Sequence, residues 1–446
     1  MKPLRSFFRM ASLRFGLPMA LAALITACGG DGGGGSGDTP PVAVTAPVIA
    51  NLVITPEAAY VASSPLTFHS AFDFTDPDGD LASVTFKILD SAGSTMVFET
   101  APVLEVDGLT AGTVLGQFMA VAVKPDRYTI RIYVTDAAGQ QSNTLTATTR
   151  IAAYPWTSKR AAPALREYAA TATFNGKLYV MGGQRTDSGV VPGPSTNLLE
   201  IYDPATDTWT TGNPMPTARM GLVAAVANGK IYAIGGRTDG FSTSAVGTVE
   251  QLDPATGLWT SKNPMPIARY FAAGATLPTP LGDQIVVAGG ASADQLLSTV
   301  GLYNPLTNAW SSLNAMPTAR SQLALAESAG RLYAVGGYAG LASQWVGTVE
   351  EYDPGAGSWT PRAPMPTARA HLALAVLDGK LLAAGGENVD RSLDVLESYD
   401  PATLRWTIRT PSVNAFTRAT AGVVNGKVYV LGNALTLEYD PVNEIR

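Results

Sequence analysis

The sequence contains a single cysteine, Cys28, and only two histidines among its 446 residues. One thiol cannot form an internal disulfide, and it leaves no cysteine for a thiol-based metal site elsewhere. Charged residues make up only 15% of the chain, and the four basic residues before position 28 have no acidic neighbours there, so the remainder carries a net charge of −10. An acidic chain without a basic cluster is a poor candidate for nucleic-acid binding, because phosphates must be neutralised by cations.

A long hydrophobic run is also missing. The apolar stretch over residues 15–27 is too short to span a bilayer, and it follows a basic segment, which predicts an export signal over residues 1–27. The stretch ends in Ile25-Thr26-Ala27-Cys28, which resembles a bacterial lipobox. That resemblance implies cleavage, lipid modification of Cys28 with chains such as palmitate, and anchorage in the cell envelope, at an outer membrane facing the periplasm or the exterior. An ordinary signal peptide or an uncleaved anchor is the alternative.

Two further segments precede the main body of the chain. Residues 28–47 are rich in glycine and proline and predict a flexible tether. Residues 48–152 alternate apolar and polar positions between Asp/Gly/Pro turns, which predicts a small β-sandwich, and they resemble bacterial immunoglobulin-like or cadherin-like modules. Asp76, Asp78 and Asp80 lie at alternate positions and could bind Ca²⁺ together with Asp136. A turn capped by its own aspartates is the interpretation that the sequence favours, and it requires no cofactor.

From residue 153 onward the sequence repeats with a period of about 50 residues, as in the blades of a propeller. Each unit carries an Asn-Gly or Asp-Gly pair that predicts a tight hairpin, followed by Gly-Gly, Asp-Pro and a tryptophan. These features, with Pro-Met-Pro before an arginine, resemble the Kelch repeat. The resemblance implies an all-β fold in which a six-bladed Kelch-type propeller over residues 153–446 follows the Ig-like sandwich.

The ends of the repeat region predict how the ring closes. The last unit stops at Arg446, six residues after Asp440, where the other units continue into a tryptophan strand. Trp156 precedes the first complete unit and has no other strands of its own. We therefore expect residues 154–159 to supply the missing outer strand of the sixth blade, which would leave no exposed edge.

Strand parity predicts which face binds. If the four strands of a blade are called A to D, all A–B and C–D turns lie on one face and all longer B–C and D–A loops lie on the other, where function usually resides. The recurring arginines should stand at the channel mouth on this loop face and could bind an anion, although glutamates of strand C could pair with four of them instead. Arg269 and Arg418 lack that glutamate, so we expect them to be the freest. The predicted ligand-binding residues are Arg166, Arg219, Arg269, Arg320, Arg369, Arg418, Arg237, Tyr338 and Trp345.

Two functions remain open. The first is a monomeric binding or scaffold module, tethered to the envelope, whose loop face takes a protein or a glycan. The second is a carbohydrate-active enzyme, because the periplasmic sialic-acid mutarotases that the chain resembles also use six Kelch blades. The sequence shows no phosphate loop, HExxH motif or Ser-His-Asp set, and no spacing that demands an acid–base pair, so the binding module is favoured over an enzyme. A copper enzyme resembling galactose oxidase is disfavoured, since His371 is the only histidine in the repeats.

Overall fold

A computed structural model of the chain describes residues 24–28, 45–61, 66–103, 108–120, 124–187, 193–238, 244–293, 295–340, 344–432 and 435–445. Most of the predicted export signal and of the tether lies outside these residues. The chain divides into two units: the first runs to Tyr154 and includes the residues from Asn443 onward, and the second is Pro155–Val442. Within the described residues no helix is long and apolar enough to cross a membrane.

The first unit consists of two β-sheets that share one core. Alternate residues of the strands face inward, as in β4, where Phe68, Phe72 and Phe74 are buried, and they pack against Val84, Ile130 and other side chains of the second sheet. The strand orders are β1-β7-β4-β2 and β3-β9-β8-β5-β6. The strands are β1 (Leu24–Cys28), β2 (Val48–Thr55), β3 (Ala58–Tyr60), β4 (Leu66–Thr75), β5 (Leu81–Leu89), β6 (Thr95–Pro102), β7 (Ala111–Ala120), β8 (Asp126–Asp136) and β9 (Leu145–Ala152).

Cys28 ends the strand at one edge of the first sheet. β1 pairs antiparallel with β7, with Cys28 opposite Thr113. On its other side β7 pairs along its whole length with β4. The pairings of β7 with β4 and of β4 with β2 therefore do not involve β1.

The second unit consists of six four-stranded antiparallel blades, which confirms the predicted propeller. Among the described residues its loops also carry seven short strands: β11 (Arg166–Glu167), β14 (Gln184–Arg185), β23 (Ala291–Ser292), β24 (Gln295–Leu296), β27 (Arg320–Ser321), β30 (Tyr338–Ala339) and β31 (Gln344–Trp345), which pairs with β30. A 3₁₀ turn follows the last blade at Pro441–Asn443. In the order A to D the blades are β12 (Ala170–Phe174), β13 (Lys177–Met181), β15 (Leu199–Asp203), β16 (Thr208–Thr211); β17 (Val223–Ala227), β18 (Lys230–Ile234), β19 (Val249–Asp253), β20 (Leu258–Lys262); β21 (Ala273–Leu277), β22 (Gln284–Ala288), β25 (Val300–Asn304), β26 (Ala309–Leu313); β28 (Ala324–Ser328), β29 (Arg331–Val335), β32 (Val349–Asp353), β33 (Ser358–Arg362); β34 (Ala373–Leu377), β35 (Lys380–Ala384), β36 (Leu396–Asp400), β37 (Arg405–Ile408); and β38 (Thr420–Val424), β39 (Lys427–Gly432), β40 (Leu435–Tyr439), β10 (Trp156–Ser158).

The sixth blade confirms the predicted closure. β10, from the start of the unit, pairs antiparallel with β40, from its end, and Trp156 lies opposite Tyr439. The Trp156 indole is 5% exposed and donates a hydrogen bond of 2.9 Å to the carbonyl oxygen of Thr410, in the loop that follows the fifth blade. The first and last blades are thus joined by backbone pairing rather than by an exposed edge.

Neighbouring blades meet where the sequence repeats Gly-Gly. Gly182 and Gly183 have φ of 66° and 104°, and the Gly183 amide donates to the Arg219 carbonyl oxygen of the next blade at 2.9 Å. A Cβ on Gly182 would lie 2.6 Å from that oxygen, so no larger residue fits. Met215, from the Pro-Met-Pro segment, packs in the same interface.

Candidate functional site

The loop face is where the blade arginines were expected to stand. Five of them are instead buried inside the blades, 0 to 4% exposed. Arg219, for example, pairs with Glu250 at 3.0 Å and donates to the Ala233 carbonyl oxygen of strand B at 3.0 Å. The same pairing joins Arg166 to Glu200, Arg320 to Glu350 and Arg369 to Glu397. The prediction that these four contact a ligand is wrong, because their guanidinium groups fasten each D–A loop to its own blade.

Arg269 has no glutamate partner, yet it is not free. Its side chain, 3% exposed, donates to the carbonyl oxygens of Gly289 and Thr299 and to the Thr299 hydroxyl, all within 2.9 Å. Burial lowers the pKa of Arg269 to about 10. Backbone and hydroxyl oxygens therefore replace the missing carboxylate, and the expectation that Arg269 is available to a ligand is wrong.

Arg418 occupies a different position from the other five arginines. Phe416 takes the buried arginine position of the sixth blade, since its carbonyl oxygen accepts the hydrogen bond from Gly386 that the Arg219 carbonyl accepts from Gly183. Arg418 lies two residues further on, just before the innermost strand β38 begins at Thr420, and its side chain is 34% exposed. Of the six arginines that recur once per unit, Arg418 is the one that reaches the loop face.

Arg418 belongs to a ring of six residues, one per blade, that encircles the propeller axis. Each ring residue donates its amide hydrogen to the carbonyl oxygen of the ring residue before it, over 2.8–3.3 Å, and the sixth bond returns to the first residue. All six have positive φ, between 51° and 61°. The ring consists of Tyr168, Gly221, Phe271, Gln322, His371 and Arg418.

Three of the ring side chains converge on the axis. The rings of Tyr168 and Phe271 are 4.9 Å apart between centroids, and His371 lies 5.2 Å from Tyr168 and 5.4 Å from Phe271. Gly221 makes this approach feasible, because a Cβ there would lie 2.6 Å from the Phe271 ring. A cavity of about 110 Å³ lies among the ring residues and those that follow them.

Charged groups surround the three rings. Arg237, which follows the Gly-Gly of the second blade, places its guanidinium over Phe271 at 5.2 Å and over Tyr270 at 5.1 Å. Across the ring, Arg418 lies over Tyr168 at 5.2 Å and forms ion pairs with Glu167 at 2.9 Å and Glu387 at 3.5 Å. We call these residues the axial cluster: Tyr168, Phe271, His371, Arg418, Arg237, Glu167 and Glu387.

His371 is the acid–base group of the axial cluster. Burial lowers its pKa, although the hydrogen bond and charge of Glu387 oppose this, so the imidazole is neutral at pH 7. Its Nδ1 lies 3.0 Å from Glu387 Oε1, which assigns the proton to Nδ1 because a carboxylate can only accept. Nε2 has no hydrogen-bond partner within the described part of the chain, and it keeps an unprotonated lone pair.

Tyr338 and Trp345 lie apart from the axial cluster, in the B–C loop of the fourth blade. They face each other in the short hairpin of β30 and β31, with ring centroids 5.7 Å apart in an edge-to-face arrangement. Each is partly buried. Trp345 therefore packs against Tyr338 within its own loop.

Sequence patterns did not single out Tyr168 or Phe271. Both lie two residues after a repeated arginine. The side chain at that position differs from blade to blade, so the position is recognised only when the units are aligned. The displacement of Arg418 could have been found by counting from the hairpins. Nine positions separate Arg219 from Asn228, whereas seven separate Arg418 from Asn425.

Family comparisons identify the repeat units. The model described as "Kelch motif" matches residues 165–216, 218–266, 319–366 and 368–411, and a second model of the same description matches residues 276–317. Together these matches cover five successive units of the propeller.

Individual relatives are similar over shorter stretches. An F-box/kelch-repeat protein of Arabidopsis thaliana is 41% identical over 70 residues, 16% of this chain and 17% of its own length. Kelch-like protein 25 of Rattus norvegicus is 34% identical over 166 residues, 36% of this chain and 27% of that protein. The chain therefore spans only about a quarter or less of the relatives' lengths. The solved structure of YjhT matches with a TM-score of 0.50 at 15% identity, over 63% of this chain and 95% of that chain, a likeness of fold.

Proposed function

Because this chain belongs to the Kelch-repeat family, we propose that it is a binding module whose axial cluster recognises an acidic ligand, carried by a glycan or a protein of the cell envelope. The proposal depends on one observation above all. The six ring positions share one backbone conformation but carry six different residues, five of which are not glycine.

A left-handed backbone favours glycine, and a side chain there costs about 1–2 kcal/mol. The fold needs only the backbone of the ring, as Gly221 demonstrates. Five ring positions nevertheless carry a side chain, and three of these side chains are aromatic or imidazole and one is cationic. A role in ligand binding explains them better than packing does.

The chemistry of the axial cluster favours a ligand with a carboxylate beside a flat apolar face. Arg237 forms no ion pair with any described residue, and its Nε is buried without a hydrogen-bond partner. Its guanidinium can therefore bind a carboxylate while the Tyr168 and Phe271 rings pack against an apolar face of a sugar or a side chain. Arg418 is less available, since Glu167 and Glu387 already neutralise it.

The envelope location in this proposal is supported by the sequence around Cys28. Cleavage before Cys28 would remove four of the five residues of β1, and the remaining sheet β7-β4-β2 keeps its pairing. The Gly/Pro-rich segment that follows would hold the two folded units away from the membrane.

A ligand screen tests the proposal. Purified protein lacking residues 1–28 is applied to an array of acidic glycans with matched neutral analogues, and to envelope proteins of the host. We expect binding to acidic members, weakened by salt, and at least tenfold weaker binding to the neutral analogues. Equal binding of acidic and neutral members, or binding unaffected by loss of the axial side chains, would contradict the proposal.

One observation favours an enzyme as the second candidate. The neutral His371, held by Glu387 and with a free Nε2, is an acid–base group beside aromatic rings that the sequence did not reveal. Carbohydrate anomerisation needs little more than such a group. Polarimetry or NMR of freshly dissolved acidic sugars would detect anomerisation. An enzyme would be established if the His371→Gln variant lost this catalysis but still bound the sugar. If the wild type did not raise the rate above the uncatalysed one, that activity would be excluded for the sugars used.

A further inference from the structure

The turn between β4 and β5 of the first unit carries three aspartates with carboxylate oxygens that lie within 4.8 Å of one another: Asp76, Asp78 and Asp80. Asp76 is fully buried, and neither of its carboxylate oxygens has a hydrogen-bond partner among the described residues. Asp78 and Asp80 each have one buried carboxylate oxygen that also lacks a hydrogen-bond partner among the described residues. Buried carboxylates without donors are costly, so the turn is not satisfied by its own side chains.

A fourth carboxylate enters from a different element. Asp136 ends β8, is 3% exposed and leaves its Oδ2 without a partner among the described residues. The backbone brings it beside the turn, since the Ala137 amide donates to the Asp80 carbonyl oxygen at 3.0 Å and Asp136 pairs in register with Leu81. The amide of Gln140 occupies only its other oxygen, Oδ1, at 2.7 Å.

Nothing with a positive charge faces this group. In the part of the chain that the structure describes, none of the four aspartates forms an ion pair with lysine, arginine or histidine, although ion pairs are numerous elsewhere. Because the carboxylates of Asp76, Asp78 and Asp80 lie within 4.8 Å of one another, they repel each other unless a cation lies between them.

We propose that Asp76, Asp78, Asp80 and Asp136 form a binding site for a divalent cation, with Ca²⁺ as the best-fitting ion. The four aspartates offer five carboxylate oxygens without partners. Ca²⁺ takes six to eight oxygen ligands, so water can complete the shell. The site joins the β4–β5 turn to the end of β8, so the ion would lock the two sheets of the first unit together at this end. It is independent of the axial cluster and of the proposed function.

Calorimetry and thermal unfolding test the site. The full two-unit protein, stripped with EDTA and returned to Ca²⁺ in buffer, should bind one ion per chain with a dissociation constant of about 1 mM or tighter. The melting transition of the first unit should rise by about 5 °C or more in saturating Ca²⁺, because only the folded state offers the assembled ligands. Mg²⁺ should bind more weakly, since it demands a tighter octahedral shell.

A pair of variants separates a cation site from a structural turn. Asp76→Asn should weaken Ca²⁺ binding at least tenfold, yet in EDTA it should unfold at the same or a higher temperature than the wild type, because it removes a repelling buried charge. Asp73→Asn is the control: Asp73 is a partly exposed carboxylate on the adjoining strand β4 and accepts hydrogen bonds from Asn51 and Thr113, so its replacement should leave Ca²⁺ affinity unchanged. No Ca²⁺ binding by the wild type at 10 mM (about ten times the weakest affinity of such modules), or an Asp76→Asn protein that is destabilised in EDTA, would overturn the proposal.

Discussion

At the scale of single residues, arginine has two separate roles in this propeller. Buried arginines such as Arg219 bond to carbonyl oxygens and a glutamate of their own blade, whereas Arg237 and Arg418 lie against aromatic rings on the loop face. The repeated residue is the structural one, and the residues that differ between blades form the candidate site. Repetition in a repeat protein therefore identifies what every unit needs, and variation identifies what the molecule uses once.

The structural role of the buried arginines can be measured. We expect Arg219→Met to lower the free energy of unfolding by about 3–5 kcal/mol, because it leaves the Glu250 carboxylate buried without its charge partner. The control is Lys230→Ala, which removes an exposed pair with Asp253 and should cost less than about 1 kcal/mol. Urea unfolding measures both.

The double variant Arg219→Met with Glu250→Leu refines this test. Replacing both partners removes the stranded charge, so it should recover most of the lost stability. If the single variant were as stable as the Lys230→Ala protein, the buried pair would not hold the D–A loop to its blade.

At the scale of strands and turns, much of the propeller could be predicted from the sequence. Asn175-Gly176 and its equivalents predicted the A–B hairpins, and both residues have the positive φ that such a turn requires, 47° and 71°. The outer strand of the sixth blade was predicted from two truncated ends, and β10 pairs with β40 as expected. These features follow from local backbone chemistry and strand counting, which a single sequence carries.

The closing strand offers the test at this scale. Trp156→Ala should destabilise the propeller by about 3–5 kcal/mol, because the indole packs on Tyr439 at 5.1 Å and donates to Thr410. Leu258→Ala is the matched control, since Leu258 lies on the D strand of the second blade but is 63% exposed, and its loss should be within about 0.5 kcal/mol. Equal melting temperatures for the two variants, or an unchanged one after deletion of residues 153–160, would contradict closure by β10.

At the scale of the whole molecule, the sequence singled out Arg237 and Arg418 of the axial cluster but not the aromatic rings that they meet. The ring around the axis depends on hydrogen bonds between residues about 50 positions apart, such as the Phe271 amide and the Gly221 carbonyl oxygen, and no local pattern announces it. His371 and Glu387 are 16 positions apart and meet only because strand B returns beside strand A. The aspartates at 76, 78 and 80 were visible in the sequence, whereas their lack of hydrogen-bond donors required the structure.

The central claim is that the axial cluster on the loop face binds an acidic ligand. Its most direct test is a calorimetric titration of one ligand from the screen against the wild type, Arg237→Ala, Phe271→Ala and Lys230→Ala, the last of which lies at an A–B turn on the opposite face. We expect affinity to fall by about 10- to 100-fold in the first two variants, the loss of a charged hydrogen bond or of a stacking face, and to stay unchanged in the third. Undiminished affinity in Arg237→Ala and Phe271→Ala, with both folded, would place the binding site elsewhere and contradict the account.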